Sequence, residues 1–235
     1  MAVFSDSELG VIRNLVSACY FDVDDTLQPL GAHDEDSYLR GIGFLRGLVR
    51  LSKEGRFPLV GLVSGRGDAY LESFAFTLGD QTQDLARISE GGAFIKGISR
   101  RPEMSPAISR EAIRALQEVR MRIPKILEAC PGFYPYGGKT LCETFERDPD
   151  SPVGVEEARD KIEQEILADL LPRGVQVKSS SIAVDVVLTD KLTGILNHAA
   201  LENLDRERIL FGGDSGSDVK PMRFLVLLCR IGFLP

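Results

Sequence analysis

Histidine is scarce in this chain: His33 and His198 are the only two in 235 residues. Both fall in helix-like or loop-like contexts, which leaves no Ser-His-Asp constellation to build on. Cysteine is nearly as sparse. Cys19, Cys130, Cys142 and Cys229 form no C-x-x-C pair, and with so few histidines this excludes a structural zinc site. Three of the four lie in apolar or strand-like runs and read as buried free thiols in a reducing compartment. No run of about 18 apolar residues occurs, so no membrane span is expected. The start, MAVFSDSELG, lacks a basic segment followed by an apolar one and does not read as a secretory signal, so the expected location is the cytoplasm. Positive charge is also short: 28 Lys and Arg stand against 35 Asp and Glu, a net charge of -7. That balance excludes a general binder of nucleic acid or of anionic membrane. What remains is carboxylate chemistry in a chain of ordinary globular composition, 43% apolar and 27% charged. Its length suits one large domain or two small ones.

Short apolar runs alternate with helical patterns. Residues 16–21 (VSACYF) form a β-prone run that ends in acids. Residues 36–54 predict a helix with Ile42, Leu45 and Val49 on one face. Residues 58–63 (PLVGLV) form a second strand ending at Ser64-Gly65-Arg66, and 68–78 another helix. Residues 85–95 read as two short strands about a Gly-Gly turn. Further on come a strand at 182–188, a helix over about 191–204, and RILFG at 208–212, which runs into Asp214. This pattern predicts an α/β fold with a doubly wound parallel sheet covered on both faces.

The stretch 98–187 has a different texture. Ile113, Leu116, Ile123 and Leu127 mark a helix face with Pro124 as a kink. PGFYPYGG reads as a turn-rich break, and TLCETFER as a half-exposed strand. Ser151-Pro152 reads as a cap and first-turn proline for a helix striped by Val155, Ala158, Ile162, Ile166 and Leu170. VQVKSSSIAVDVV reads as a hairpin. The expectation is an inserted α+β unit at 98–187, with 1–97 and 188–235 forming the α/β core.

The string Phe21-Asp22-Val23-Asp24-Asp25-Thr26-Leu27 crowds three carboxylates at a strand end. In an extended chain Asp22 and Asp24 share a side, facing the crevice where open α/β sheets bind ligands. Two unit charges 4 Å apart repel by about 1 kcal/mol in water and about 4 kcal/mol at an effective dielectric near 20. A hard divalent cation, Mg²⁺, is the natural compensation, although such a D-x-D alone fits an acidic cap as well. Ser64 ends the second strand, where a hydroxyl and the next helix N-terminus can donate to a phosphate, or where Ser simply caps the helix. Lys191 opens a helix after a strand. Gly213-Asp214-Ser215-Gly216-Ser217-Asp218 sets two carboxylates four apart on a Gly-rich turn. Each signal alone is weak; four at strand ends of one α/β chain point to a shared site.

In order, Asp22-x-Asp24-x-Thr26, Ser64, Lys191 and Gly213-Asp214-Ser215-x-x-Asp218-x-x-x-Met222 resemble the four motifs of haloacid dehalogenase superfamily phosphatases. The resemblance spans about 15–223. The long insertion between Ser64 and Lys191 is similar to the α/β (type IIB) cap. Residues 87–95 (RISEGGAFI) resemble the "NGA" hairpin of that subclass. Ser64-Gly65-Arg66 and Gly213 to Asp218 look most like its sugar-phosphate phosphatases, such as those for trehalose phosphate, sucrose phosphate and mannosyl-3-phosphoglycerate. Asp25 departs from the usual Gly, Glu90 from Asn and Ser217 from Asn. Only 17 residues follow Asp218, where the resemblance implies a further strand and helix.

The resemblance implies a Rossmann-like core and phosphoryl transfer through an aspartyl-phosphate. Asp22 is then the nucleophile and Asp24 the general acid and base. Ser64, Gly65 and Lys191 hold the phosphate, and Asp22, the Asp24 carbonyl and Asp214 hold Mg²⁺. Asp218 orients water or Lys191. In the insertion Lys139, Glu143, Arg147 and Lys178 stand on or beside strand-like segments, where they meet a sugar or form a solvated sheet face. The expected partner is a small phosphorylated metabolite, a sugar phosphate. A phosphomutase of the phosphomannomutase kind is the alternative within enzymes, since it carries the same insert type. A catalytically silent binding or regulatory protein is the alternative outside them.

Overall fold

The computed structural model describes residues 5–24, 26–27, 35–80, 84–98, 100–213 and 216–224. Asp25, His33, Asp214, Ser215 and Cys229 lie outside the described residues.

Burial on both faces explains the apolar runs. In β1 (Ala18–Asp22) four of five residues are buried, as they are in β2 (Leu59–Val63). With β3 (Ala86–Ser89), β4 (Phe94–Lys96), β5 (Glu103–Met104) and β10 (Ile209–Gly212) they make a six-stranded sheet in the order β10-β1-β2-β3-β4-β5. The four strands β10, β1, β2 and β3 are parallel. The pairings of β3 with β4 and of β4 with β5 are antiparallel. Cys19, Val60 and Leu62 point to one face, against α1 (Asp6–Leu15), α2 (Glu35–Lys53) and α3 (Asp68–Thr77), whose Leu9, Leu45, Val49, Leu71 and Phe74 are buried there. Ala18, Tyr20, Ile88 and Phe211 point to the other, against Leu192, Ile195 and Ala199 of α7 (Lys191–Leu201). The sheet is thus doubly wound, as the sequence predicts.

The register matters for function. Asp22 is abreast of Val63, the residue before Ser64, and Phe21 is abreast of Gly212. The carboxyl ends of β1, β2 and β10 therefore finish level, which brings three of the four sequence motifs to one edge.

A second sheet, entirely antiparallel in the order β6-β7-β9-β8, contains β6 (Phe133–Tyr136), β7 (Cys142–Arg147), β8 (Gln176–Ser179) and β9 (Ala183–Val187). One face is apolar. Phe145, Val184 and Val186 pack against Ala115, Leu116 and Val119 of α4 (Arg110–Met121), Ile126 of α5 (Ile123–Ala129) and Ala158 of α6 (Val155–Asp160). Ala93 and Leu188 join the same cluster, so the two sheets share apolar contacts where the chain passes between them. The helix expected through Pro124 is two helices, with Pro124 in the first turn of α5, where a missing N–H costs nothing.

Three local expectations are corrected. PGFYPYGG is not a simple break, because Phe133–Tyr136 pairs with β7. As an outer strand of its sheet, β6 tolerates Pro135, which removes one donor. Ser151 does not cap a helix. Its Oγ donates to Pro131 O (2.8 Å) and accepts from Val153 N (3.2 Å), while α6 begins after Gly154. The apolar stripe beyond α6 continues as a π-helical segment, Lys161–Ile166. Helix α1 is an addition that the sequence reading did not contain. Cys19, Cys130 and Cys142 are buried free thiols. Among the described residues no helix is long and apolar enough to cross a membrane.

Candidate active site

Lys191 is the first residue of α7, whose N-terminus is capped by Asp190 Oδ1 accepting from Thr193 N (2.9 Å). This fixes the first turn and sends the lysine side chain toward the carboxyl edge of the first sheet. Its Nζ lies 2.9 Å from Asp22 Oδ1 and 2.8 Å from Asp218 Oδ1. All three groups are buried. Burial raises the Asp22 carboxyl to about 7, against the pull of Lys191 and with a further push from Asp218. For Lys191 burial works against the charge, yet Asp22 and Asp218 hold its ammonium above the ordinary lysine value. Two buried carboxylates thus face one ammonium.

Asp24 faces a different pair. Ser64 Oγ donates to Asp24 Oδ2 (3.1 Å) and Arg66 Nε to Asp24 Oδ1 (2.9 Å). Ser64 Oγ also accepts from Arg66 N (3.0 Å), which curls the chain after β2 into a tight turn through Gly65. The Arg66 guanidinium stacks over the Tyr70 ring at 4.7 Å. The sequence motifs assign Arg66 no role; its place directly after Ser64-Gly65 is the signal that points to it.

The described carboxylates here are all-oxygen donors, the chemistry of a hard divalent cation. Asp22 with its charge disfavoured by burial, beside Asp218, fits such a cation. Asp214, the third expected donor, lies outside the described residues. No group of three candidate ligands occurs among the described residues.

The expected residues of the second sheet have defined partners. Lys139 Nζ donates to Thr144 Oγ1 and lies 3.5 Å from Asp185 Oδ1. Thr144 also donates to Asp185 Oδ1. Lys178 Nζ donates to Thr189 O at 3.1 Å, and burial lowers its pKa. The register sets Tyr136, Thr144, Asp185 and Lys178 in one row across the sheet, on the face opposite Phe145 and Val184. Glu143 is paired with Arg120 Nε (2.5 Å). Arg147 donates to Ser151 O (2.7 Å) and Val153 O (2.9 Å), which ties down the turn before α6. Lys139 and Lys178 therefore belong to the polar row, whereas Glu143 and Arg147 are occupied by neighbours within their own unit.

No family model and no curated protein matches the chain. Solved structures do. The C-terminal domain of trehalose-6-phosphate phosphatase from C. albicans is similar over 92% of this chain and 76% of that one, at 21% identity and a TM-score of 0.63. Sucrose-phosphatase from Synechocystis, solved with sucrose and phosphate, is similar over 86% of this chain and 77% of that one, at 17% identity and a TM-score of 0.56. A sugar phosphatase described as subclass IIB of the haloacid dehalogenase superfamily is similar over 88% and 84%, at 14% identity and a TM-score of 0.57. Strand-end motifs, sheet order and structural likeness converge: the chain has the fold of the capped haloacid dehalogenase superfamily phosphatases.

Proposed function

We propose that this protein is a Mg²⁺-dependent phosphatase that hydrolyses a small sugar phosphate through an aspartyl-phosphate. The observation that carries this reading is Lys191 Nζ held between Asp22 and Asp218 at 2.9 and 2.8 Å, next to Asp24 gripped by Ser64 and Arg66. The sugar-phosphate class is supported by the likeness to trehalose-6-phosphate phosphatase and sucrose-phosphatase.

In the proposed reaction an Asp22 oxygen attacks phosphorus and the bond to the sugar oxygen breaks. Asp24 gives that oxygen a proton, then takes one from the water that attacks the acyl-phosphate, which releases phosphate and restores Asp22. Lys191 supplies positive charge to the transferring oxygens, because a carboxylate cannot approach a phosphate dianion uncompensated. Ser64 and the turn at Gly65 supply donors to the same oxygens. Asp218 keeps Lys191 aimed. Asp22, the Asp24 carbonyl and Asp214 are the groups that would hold Mg²⁺, whose chemistry is to neutralise the charge gathering between nucleophile and phosphate. The unit at 98–187 is proposed as the cap, with the row Tyr136, Thr144, Asp185 and Lys178, joined by Lys139, toward the sugar.

The test is phosphate release from a panel of phosphorylated sugars by the full chain with Mg²⁺. Release is expected, lost in EDTA and restored by Mg²⁺, and absent in Asp22→Asn. Isomerised sugar phosphate without free phosphate means a mutase; no turnover of any phosphate ester, p-nitrophenyl phosphate included, sinks the enzyme reading.

A further inference from the structure

The turn between β3 and β4 touches the segment after Ser64, the first turn of α7 and the 140–141 segment of the second unit. It is a 3₁₀ turn, Glu90–Gly92, with three successive residues at positive φ: 50° at Glu90, 64° at Gly91 and 104° at Gly92. The glycines adopt this freely; Glu90 does so at a cost. Backbone bonds fasten the turn to the proposed phosphate-binding segment, Glu90 N to Arg66 O (2.8 Å) and Gly91 N to Ser64 O (3.0 Å). Gly92 is pressed against the first turn of α7. A Cβ there would fall 2.3 Å from Asp190 O, so nothing but glycine fits beside the helix that carries Lys191.

The side chain of Glu90 leaves the first sheet. It is buried, 3% exposed, and its two carboxylate oxygens accept from two consecutive amides of the other unit, Thr140 N (2.9 Å) and Leu141 N (2.6 Å). Those amides close the segment that leads into β7. The same segment rests on the turn after Ser64: a Cβ on Gly67 would lie 2.9 Å from Gly138 O. Lys139, the end of the polar row, lies between Gly138 and Thr140. A buried carboxylate saturated by main-chain donors is a strong tie, and a residue that keeps an unfavourable φ needs surroundings that hold it there.

We infer that Glu90 is a positioning residue: its carboxylate latches the 137–141 segment of the second unit onto the Ser64–Gly67 turn and so sets the spacing between Lys139 and the phosphate-binding groups. This rests on the proposed phosphatase reading for its catalytic consequence, but the latch itself does not. Shortening the side chain frees the segment, and a substrate held at both ends loses affinity while the chemistry at Asp22 does not change.

Three variants separate latch from scaffold. Glu90→Gln puts an amide donor against one of the two main-chain donors. Glu90→Ala removes both acceptors. Glu90→Asn is too short to reach Thr140 and Leu141 but adopts positive φ readily. Hydrogen exchange of the peptide covering 138–141 is expected to accelerate at least about tenfold in all three, the scale of one charge-assisted hydrogen bond. Glu90→Asn is expected to lose less melting temperature than Glu90→Ala, because it relieves the backbone. With the best sugar phosphate from the panel, KM is expected to rise about tenfold with kcat within a factor of about two, while KM for p-nitrophenyl phosphate, which has no sugar to span the gap, holds steady. Unchanged exchange at 138–141 in Glu90→Asn overturns the latch whether or not the protein is a phosphatase. Faster exchange with no change in the KM for the sugar phosphate overturns the positioning role. If no ester is turned over, the exchange result alone decides the latch, and the failure belongs to the phosphatase reading.

Discussion

Lys191 and Asp22 lie 2.9 Å apart, yet removing one is not equivalent to removing the other. Taking away the ammonium leaves Asp22 and Asp218 buried together with no cation between them. Uncompensated buried charge costs about 3–5 kcal/mol when one partner of such a pair is deleted. Lys191→Met is therefore expected to abolish phosphate release and also to lower stability by about that amount, read by urea unfolding without added metal. Asp22→Asn leaves one ammonium against one carboxylate. Burial has already raised Asp22 to about 7, so folding does not favour its charged form and a neutral amide of the same shape is tolerated. It is expected to be equally inactive but to unfold within about 1 kcal/mol of wild type. Equal destabilisation by the two variants contradicts the charge assignment.

At the scale of elements, α7 must approach the Glu90–Gly92 turn closely, and glycine is what permits it. A Cβ on Gly194 would lie 2.6 Å from Gly92 Cα and 2.6 Å from Ile88 Cγ2. Helix propensity alone favours alanine over glycine by about 1 kcal/mol. Overpacking costs about 1–3 kcal/mol, and here one neighbour is main chain with no rotamer to yield and the other is the buried side chain of Ile88. Gly194→Ala is expected to lower the unfolding midpoint in urea, and a rise indicates that the turn can retreat from the helix. The same geometry explains what could be read in advance. Strands β1, β2 and β10 were legible because each is a short apolar run ended by polar residues, and their level ends bring Asp22, Ser64 and Gly213 to one edge, where α7 delivers Lys191. The Asp24–Arg66 pair and the Glu90 tie were not legible. Both depend on where turns from separate segments meet, which no periodicity reports. Strand β6 was hidden because Pro135 within it and Pro131, Gly132, Gly137 and Gly138 around it read as a break, and α6 was misplaced because Ser151 bonds to Pro131 O and Val153 N instead of starting a helix.

For the molecule as a whole, pH acts on stability through His198, which lies in the contact between α7 and the first sheet. The ring is fully buried, its Nδ1 is 2.6 Å from Tyr20 Oη, and the two rings meet edge to face at 5.6 Å. Its Nε2 has no hydrogen-bond partner among the described residues. Burial lowers its pKa from 6.5 to about 4, so the fold accepts the neutral ring and rejects the cation. Between those values the unfolded chain binds more protons than the folded one, and stability must rise with pH. The contribution is whole above about pH 6.5 and is lost as pH falls through about 4, a total of about 3 kcal/mol at 1.36 kcal/mol per pKa unit. Asp22 acts the other way, because its folded value of about 7 exceeds the free carboxylate's and favours folding as pH falls. His198→Asn retains a polar atom for Tyr20 but has nothing to protonate, and Asp22 is common to both proteins. The loss of stability from pH 7 to pH 4 is thus expected to be about 3 kcal/mol smaller in His198→Asn than in wild type, measured by urea unfolding at both pH values in metal-free buffer. Equal losses in the two proteins mean that the ring is protonated, or solvated, within the fold.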